Sequence, residues 1–373
     1  MQRVVDSLAP LMGLLSRSGD VVLVRASGMP DGVPDSLKHV RWMSVSDTSQ
    51  LKHPVPLVPW GWDAEARLLA NELKTVQAIP SERSVGTLNH RSFQAKFDDL
   101  DSTTCVLPLG EQFGRLCHEI HEVEHALNVI SQTHSTRWII KAAYSASGRN
   151  RLVGAGRVLS NSNCRWIEKR LATSGSVYLE PSYNVISECG IQFQLESTDD
   201  GRIDHRLCGV TELLTDRTGR YRGSLISAQP ADEWLPAIAR AERMATEAGK
   251  LGYFGPLGID CMKIQLQDGT ELLRVGHDVN GRHTMGRLAL ALLPLLDSSR
   301  AGCWIHGLPS DPADRAGTCP NFPATGERHV VESVQTSPQV IGGAPPAIQT
   351  QLLVTSSLKD AQIVAKSILA QAN

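Results

Sequence analysis

The sequence has no run approaching the roughly 18 apolar residues that a membrane-spanning helix needs, so no bilayer-crossing segment is expected. It also has no excess of charge: 37 Lys and Arg stand against 39 Asp and Glu, a formal net charge of −2. That balance creates no field to attract a nucleic acid or an anionic membrane, and neither is expected as a partner. None of the eight cysteines (Cys105, Cys117, Cys164, Cys189, Cys208, Cys261, Cys303, Cys319) belongs to a CxxC pair. Several lie in apolar, strand-like text, so the expectation is buried free thiols in a reducing cytoplasm. No secretory signal is read at the N-terminus, because Asp6 and Pro10 interrupt its apolar stretch and no small-residue cleavage site follows. Internal repeats, low-complexity tracts, a Walker A motif and GxGxxG are all missing.

The 373 residues are 41% apolar and 20% charged, ordinary values for a globular chain with a sizeable core in two or three domains. Val21–Val24 and 40–45 read as strands, and Asp63 is placed to cap a helix over 64–73. Helices are expected over 92–100 and 111–131, followed by an apolar strand at 138–141 that runs into a small-residue loop. Strands then dominate: 176–180, 190–195 and 205–214. A helix over 231–251 precedes a hairpin, 258–266 and 271–280, joined by Gln267-Asp268-Gly269-Thr270. A helix over 285–296, an exposed loop at 306–328, a strand at 349–355 and a helix at 358–370 complete the chain.

The hairpin carries the most chemistry. Asp278 and Asn280 share a strand face, and Arg282 keeps the same parity. A two-residue Asp-Gly turn would pair Asp260 with His277, on the wrong face. A three-residue turn, or a bulge at Gly276, would set Asp260 beside Asp278. Three oxygen-bearing side chains on one face form a hard-cation site suited to Mg²⁺ shared with phosphate, and Arg282 adds a fixed cationic fork. An edge hairpin with ordinary polar residues is the plain alternative. Lys141, one of only ten lysines, ends the apolar strand Trp138–Lys141 before a Ser/Gly loop. It can reach a phosphate, or it can snorkel at a strand end.

This order of elements resembles the ATP-grasp superfamily, which includes D-alanine–D-alanine ligase and biotin carboxylase. Gly252-Tyr-Phe-Gly-Pro-Leu-Gly-Ile-Asp260-Cys-Met is similar to that family's metal-binding strand, and Asp278-Val-Asn280-Gly-Arg282 to its Glu-Ile-Asn-x-Arg strand. The resemblance implies an α/β (α+β) ATP-grasp fold, with nucleotide bound between two sheet-containing subdomains. A small N-terminal α/β domain would occupy 1–85, a first subdomain with its lid loop 86–180, and a second with the metal hairpin 181–373. It implies Asp260, Asp278 and Asn280 as ligands of Mg²⁺ (or Mn²⁺), with Arg282 and Lys141 at the transferred phosphate. Arg91, Lys141, the lid residues Ser145, Ser147 and Gly148, the hinge Glu180 and the ribose-side Glu188 would hold ATP. The implied activity is ligation of a small carboxylate to an amine through an acyl phosphate, with a homodimer as one expected assembly. Asp278 is shorter than the family's Glu, and the lid has one glycine where three are common. Both departures leave room for an ATP-binding sensor or scaffold without ligase activity.

His121-Glu122-Val123-Glu124-His125 is a literal HExxH, the pattern of zinc peptidases. His121 and His125, with His118 one turn earlier, lie opposite the stripe of Leu116, Ile120, Val123, Leu127 and Ile130, so a solvated helix face is the expectation there.

Overall fold

A computed structural model of the chain describes residues 2–52, 54–98, 114–133, 137–144, 150–216, 219–307 and 329–371. The chain forms two compact units, neither continuous in sequence. One comprises Met1–Ile79, Cys208–Asp232 and His283–Asn373, the other Pro80–Leu207 and Glu233–Arg282. No helix among the described residues is long and apolar enough to cross a membrane.

In the first unit, Val21–Val24 and Arg41–Ser44 pair in parallel. Val22 and Val24 turn one strand face onto Val40 and Met12. Asp63 caps the helix Ala64–Glu72, its Oδ1 accepting from the Ala66 N–H at 2.9 Å. Strands Tyr221–Ser227, Ala301–Gly307, Gln349–Thr355 and Val330–Gln335 lie side by side, all antiparallel. Successive residues point to opposite faces, and both faces are covered. Leu225, Cys303 and Leu353 meet the helix Leu358–Gln371, whereas Ile226, Trp304 and Leu352 meet Leu11 and Leu288. Two covered faces explain the unbroken burial of Ala301–Ile305. The single helix expected over 285–296 stops at Leu290, and a 3₁₀ turn, Leu293–Leu295, takes over around Pro294, which has no N–H to donate.

The second unit has two sheets. Strands Arg115–Cys117, Val177–Pro181, Arg137–Ala142 and Arg151–Ala155 lie in that order, every pair antiparallel. Val123 and Leu127 of the helix Ile120–Thr133, with Ile167 of the helix Asn161–Ser174, cover Trp138, Ile140, Val177 and Leu179. The helix expected over 111–131 is corrected in its described part: 115–117 is a strand, and the helix begins at Ile120. Glu122 fixes that start, accepting from the backbone N–H of His118 at 2.5 Å and of Glu119 at 3.3 Å. The helix Asn161–Ser174 was not legible, having few apolar positions (Trp166, Ile167, Leu171). Caps define it instead: Ser160 Oγ accepts from Asn163 N–H, and Gly175 ends it in the left-handed region.

The other sheet sets the hairpin Gly255–Gln265/Glu271–Asn280 against the long strand Asn184–Ser197, again antiparallel. The helix Leu235–Lys250 packs on it through the small residues Ala237, Ala241, Ala245 and Ala248 and through Met244. Short helices Glu82–Asn89 and Arg91–Asp98 pack at the strand Glu271–Asn280. Cys117, Cys189, Cys261 and Cys303 are buried and Cys164 and Cys208 half-buried, none in a disulfide; Cys105 and Cys319 lie outside the described residues.

Candidate functional site

The site grows from the register of the hairpin. Leu266 N–H donates to Thr270 O at 2.8 Å and Gly269 N–H to Leu266 O at 3.1 Å, which leaves Gln267-Asp268-Gly269 as a three-residue loop. Pairing is regular from Gln265↔Glu271 to Cys261↔Val275; Gly276 and His277 are then passed over, and Asp260 stands opposite Asp278. The sequence offered a three-residue turn or a Gly276 bulge as alternatives. Both features occur, but the loop alone would set Asp260 opposite Gly276, and it is the two-residue bulge that carries the pairing on to Asp278. Gly276 has φ 78°, a left-handed conformation that favours glycine, and a Cβ there would push on the tip of the Met244 side chain.

Directly opposed residues have Cβ atoms about 4.5–5.5 Å apart, so the two carboxyl groups converge. Asn280 joins them on the same face, its Nδ2 donating to Asp260 Oδ2 at 3.2 Å. Arg282 donates to Asn280 Oδ1 at 2.7 Å. Burial, and then the Asp278 charge, push the Asp260 carboxyl up to about 7. A cation between the pair would relieve that cost, and the two carboxylates are oxygen donors that fit Mg²⁺, while Asn280 turns its amide nitrogen to Asp260 and its oxygen to Arg282. Among the described residues no group of three His, Cys, Asp or Glu side chains is arranged to hold a metal. A site of two carboxylates and an amide leaves room for phosphate oxygens on the same ion.

Arg91 is brought to this point by the turn between the two short helices. Its side chain is 5% exposed, 3.6 Å from Asp278 Oδ1, and donates to Ala142 O at 3.2 Å, Gln94 Oε1 at 2.9 Å and His277 O at 3.4 Å. Asn89 Oδ1 accepts from Gly281 N–H at 2.9 Å and ties the same turn to the hairpin's end.

A second cluster lies on the four-stranded sheet. Lys141 Nζ meets Glu180 Oε1 at 2.6 Å, and Arg274 donates to Glu180 Oε2 and to Tyr178 Oη, each at 2.9 Å. Asp98 accepts from the Tyr178 hydroxyl and lies 3.6 Å from the fully buried Arg274 guanidinium. Burial alone would raise the Glu180 carboxyl, but Lys141 and then Arg274 outweigh it and hold it at about 2. Burial lowers Lys141, and the neighbouring Arg91 and Arg274 charges lower it further, against the pull of Glu180. Lys141, Arg91 and Arg274 thus face the carboxyl groups of Glu180, Asp98 and Asp278, burial pushing that of Asp98 up against the pull of Arg274.

Glu188, on the strand beside the hairpin, faces His277 with 3.9 Å between Oε1 and Nε2. Ser145, Ser147 and Gly148 lie outside the described residues; just before them, Tyr144 packs edge-on to His90 at 5.0 Å between centroids. Of the site residues named from sequence, Asp260, Asp278, Asn280, Arg282 and Arg91 gather at the hairpin's end, while Lys141 and Glu180 pair beside them. Arg274, Tyr178, Asp98 and His277 were missed. The one usable signal was Arg274, a charge in the otherwise apolar run Leu272–Val275. His121 and Glu119 form an exposed pair at 3.0 Å, and His125 is also exposed. Glu122 caps its helix, so the HExxH positions are used on a solvated surface.

No family profile matches the sequence, and no curated protein matches it. Solved structures do. N5-carboxyaminoimidazole ribonucleotide synthetase from Thermus thermophilus aligns at TM-score 0.55 and 14% identity, over 97% of this chain and 96% of that one. N5-carboxyaminoimidazole synthetase from Staphylococcus aureus, solved with ADP, aligns at TM-score 0.52 and 11% identity, over 98% and 95%. Identities this low speak for architecture alone. That architecture, shared with these synthetases over nearly the whole chain, is the ATP-grasp fold.

Proposed function

We propose that the chain is an ATP-dependent ligase that uses Mg²⁺-ATP to join a small carboxylate to an amine. The observation that carries this reading is the meeting, at one end of the hairpin, of the paired carboxylates Asp260 and Asp278, with Asn280 beside them, and the cations Arg91 and Arg282. Both solved relatives named above are synthetases of this fold, and one was crystallised with ADP.

Phosphoryl transfer asks a protein for positioning and charge neutralisation more than for a nucleophile. Asp260, Asp278 and Asn280 would hold Mg²⁺, which neutralises charge on phosphate oxygens when bound. Arg282, steadied by Asn280, would face the transferred phosphoryl group, and Arg91 would neutralise the remaining phosphate charge. Lys141 would turn its ammonium toward phosphate while Arg274 keeps Glu180 ionised and in place. Transfer to the substrate carboxylate yields an acyl phosphate, and attack by an amine releases phosphate and forms the amide.

The test compares thermal stabilisation by Mg²⁺-ATP with that by ATP plus chelator. A markedly larger shift with Mg²⁺ is expected, abolished in Asp278→Asn and kept in Asp278→Glu. Metal-independent stabilisation that survives Asp278→Asn would defeat the site. Release of ADP that depends on an added carboxylate and amine separates a ligase from a nucleotide-binding sensor.

A further inference from the structure

Two of the free cysteines stand opposite each other. The strands Asn184–Ser197 and Gly255–Gln265 keep one register from Gly255↔Leu195 to Lys263↔Ser187, and Cys261↔Cys189 is one of its pairs. Directly opposed residues present their side chains on the same face. Their Cα atoms are about 4.5 or 5.5 Å apart, according to the hydrogen-bonding pattern. Both values fall within the roughly 4.4–6.8 Å that a disulfide spans. Opposed Cβ atoms, about 4.5–5.5 Å apart, need to approach by about 1 Å to reach the separation usual in a disulfide. The other fully buried strand cysteines have no such partner: Cys117 faces Val177 and Cys303 faces Leu353. In the structure the pair is reduced, with the Cys261 thiol donating to Ile259 O at 3.8 Å.

The position of the pair ties it to the metal-type site. Cys261 is bonded to Asp260, and on its other side Cys261↔Val275 is the last regular pair before the bulge that carries Asp260 to Asp278. Drawing Cys261 toward Cys189 therefore moves the middle strand at the point where the two carboxylates are aligned. We propose that Cys189 and Cys261 are a redox switch, closed by a peroxide into a cross-strand disulfide that displaces Asp260 from Asp278 and weakens Mg²⁺-ATP binding. The effect on nucleotide rests on the ATP-binding reading above; the disulfide itself does not.

The oxidation balances with one peroxide per pair. One cysteine sulfur attacks a peroxide oxygen, the O–O bond breaks, and water and a sulfenic acid result. The second sulfur attacks the sulfenic sulfur, the S–S bond forms, and the S–O bond breaks to release a second water. Both thiols are fully buried, so the oxidant must be as small as hydrogen peroxide and must enter through local opening of the sheet. Mg²⁺-ATP, by holding Asp260 and Asp278 together, should slow that opening and protect the pair.

The experiment treats the reduced full chain with hydrogen peroxide, blocks remaining thiols, and maps peptides without reduction. A Cys189–Cys261 linked peptide is expected, lost again on treatment with dithiothreitol and formed more slowly with Mg²⁺-ATP present. Affinity for Mg²⁺-ATP should fall about five-fold or more on oxidation, the low end of usual coupling between sites. Dithiothreitol should restore it, and Cys189→Ala should keep its affinity through the same treatment. Where Cys189→Ala fails to fold, Cys189→Ser carries the same expectation, and the peptide map needs no variant. Absence of the linked peptide when Cys164 and Cys208 are already oxidised would overturn the switch. So would a linked peptide accompanied by unchanged Mg²⁺-ATP affinity, or an equal loss of affinity in Cys189→Ala and Cys189→Ser. A reduced wild type that binds no Mg²⁺-ATP would remove the ligase reading and the switch together, whereas the other outcomes touch the switch alone.

Discussion

Lys141 shows how a residue's surroundings revise what its sequence context implies. From sequence it is a strand-end lysine that can reach a phosphate or snorkel. In the structure it is 12% exposed and bound to Glu180, so Lys141→Ala leaves a buried carboxylate with Arg274 as its remaining partner. Breaking a buried pair from one side costs about 3–5 kcal/mol. Urea unfolding of Lys141→Ala should show a loss in that range, part of it recovered in Lys141→Ala with Glu180→Gln; a single variant within about 1 kcal/mol of wild type would contradict the pairing. The sign of the pH effect follows from Glu180. Its folded value, about 2, lies below its ordinary 4.5, so the stability it confers is full above about 4.5 and is lost as pH falls toward 2. Glu180→Gln should flatten the unfolding free energy across that window, measured by urea titration at several pH values. The histidines of HExxH make the opposite case: exposed on a helix whose Glu is spent on capping, His121→Ala with His125→Ala should shift stability by no more than about 0.5 kcal/mol. Residue chemistry was legible wherever a type and a spacing coincide, as in Asp278-x-Asn280-x-Arg282. It was illegible where the partner is distant in sequence, as between Arg274 and Glu180.

At the scale of the element, the hairpin depends on one backbone position. Both devices that could align Asp260 with Asp278 were readable from Gly269 and Gly276. That the bulge is what brings Asp260 to Asp278 was not, since register is settled by pairing along the whole strand, including its other neighbour Asn184–Ser197. The two glycines separate strain from packing. Gly269 (φ 88°) has open space around it, so Gly269→Ala should carry only the left-handed penalty of about 1 kcal/mol. Gly276→Ala adds a clash with Met244 to a similar penalty. It should cost clearly more and should also erase the Mg²⁺-dependent part of ATP stabilisation, because the bulge that aligns the carboxylates must shift. Thermal melts with and without Mg²⁺-ATP decide the matter: equal behaviour of the two variants would mean that the bulge does not hold the site. The strand Arg115–Cys117 and the helix Asn161–Ser174 escaped sequence reading for a related reason. One is three residues long and exists through its pairing with Val177–Leu179, and the other is set by caps more than by an apolar stripe.

Across the whole molecule, every described residue assigned to the candidate site belongs to the unit built from Pro80–Leu207 and Glu233–Arg282. The order of motifs made the architecture legible, because strand, loop, hinge and hairpin succeed one another along the chain. The return of the chain to its first unit over Cys208–Asp232 was not, since no composition shift marks Leu207 or Asp232. The placement of the site has a measurable consequence. A ligand bound at about 100 times its Kd stabilises the state it binds by about 2.7 kcal/mol, and amides that exchange by opening within the binding unit must feel that increment. Hydrogen exchange with Mg²⁺-ATP should therefore slow most in Arg137–Ala142, Val177–Pro181 and the hairpin Gly255–Asn280. Amides of Val21–Val24 and Arg41–Ser44, in the other unit, should change least. In Asp278→Asn the slowing should fade in the hairpin first, where the metal would sit, and persist in part at Arg137–Ala142, where Lys141 would act on phosphate. Protection by nucleotide centred on Val21–Val24 and Arg41–Ser44 would move the binding site out of the hairpin unit and remove the ligase reading with it.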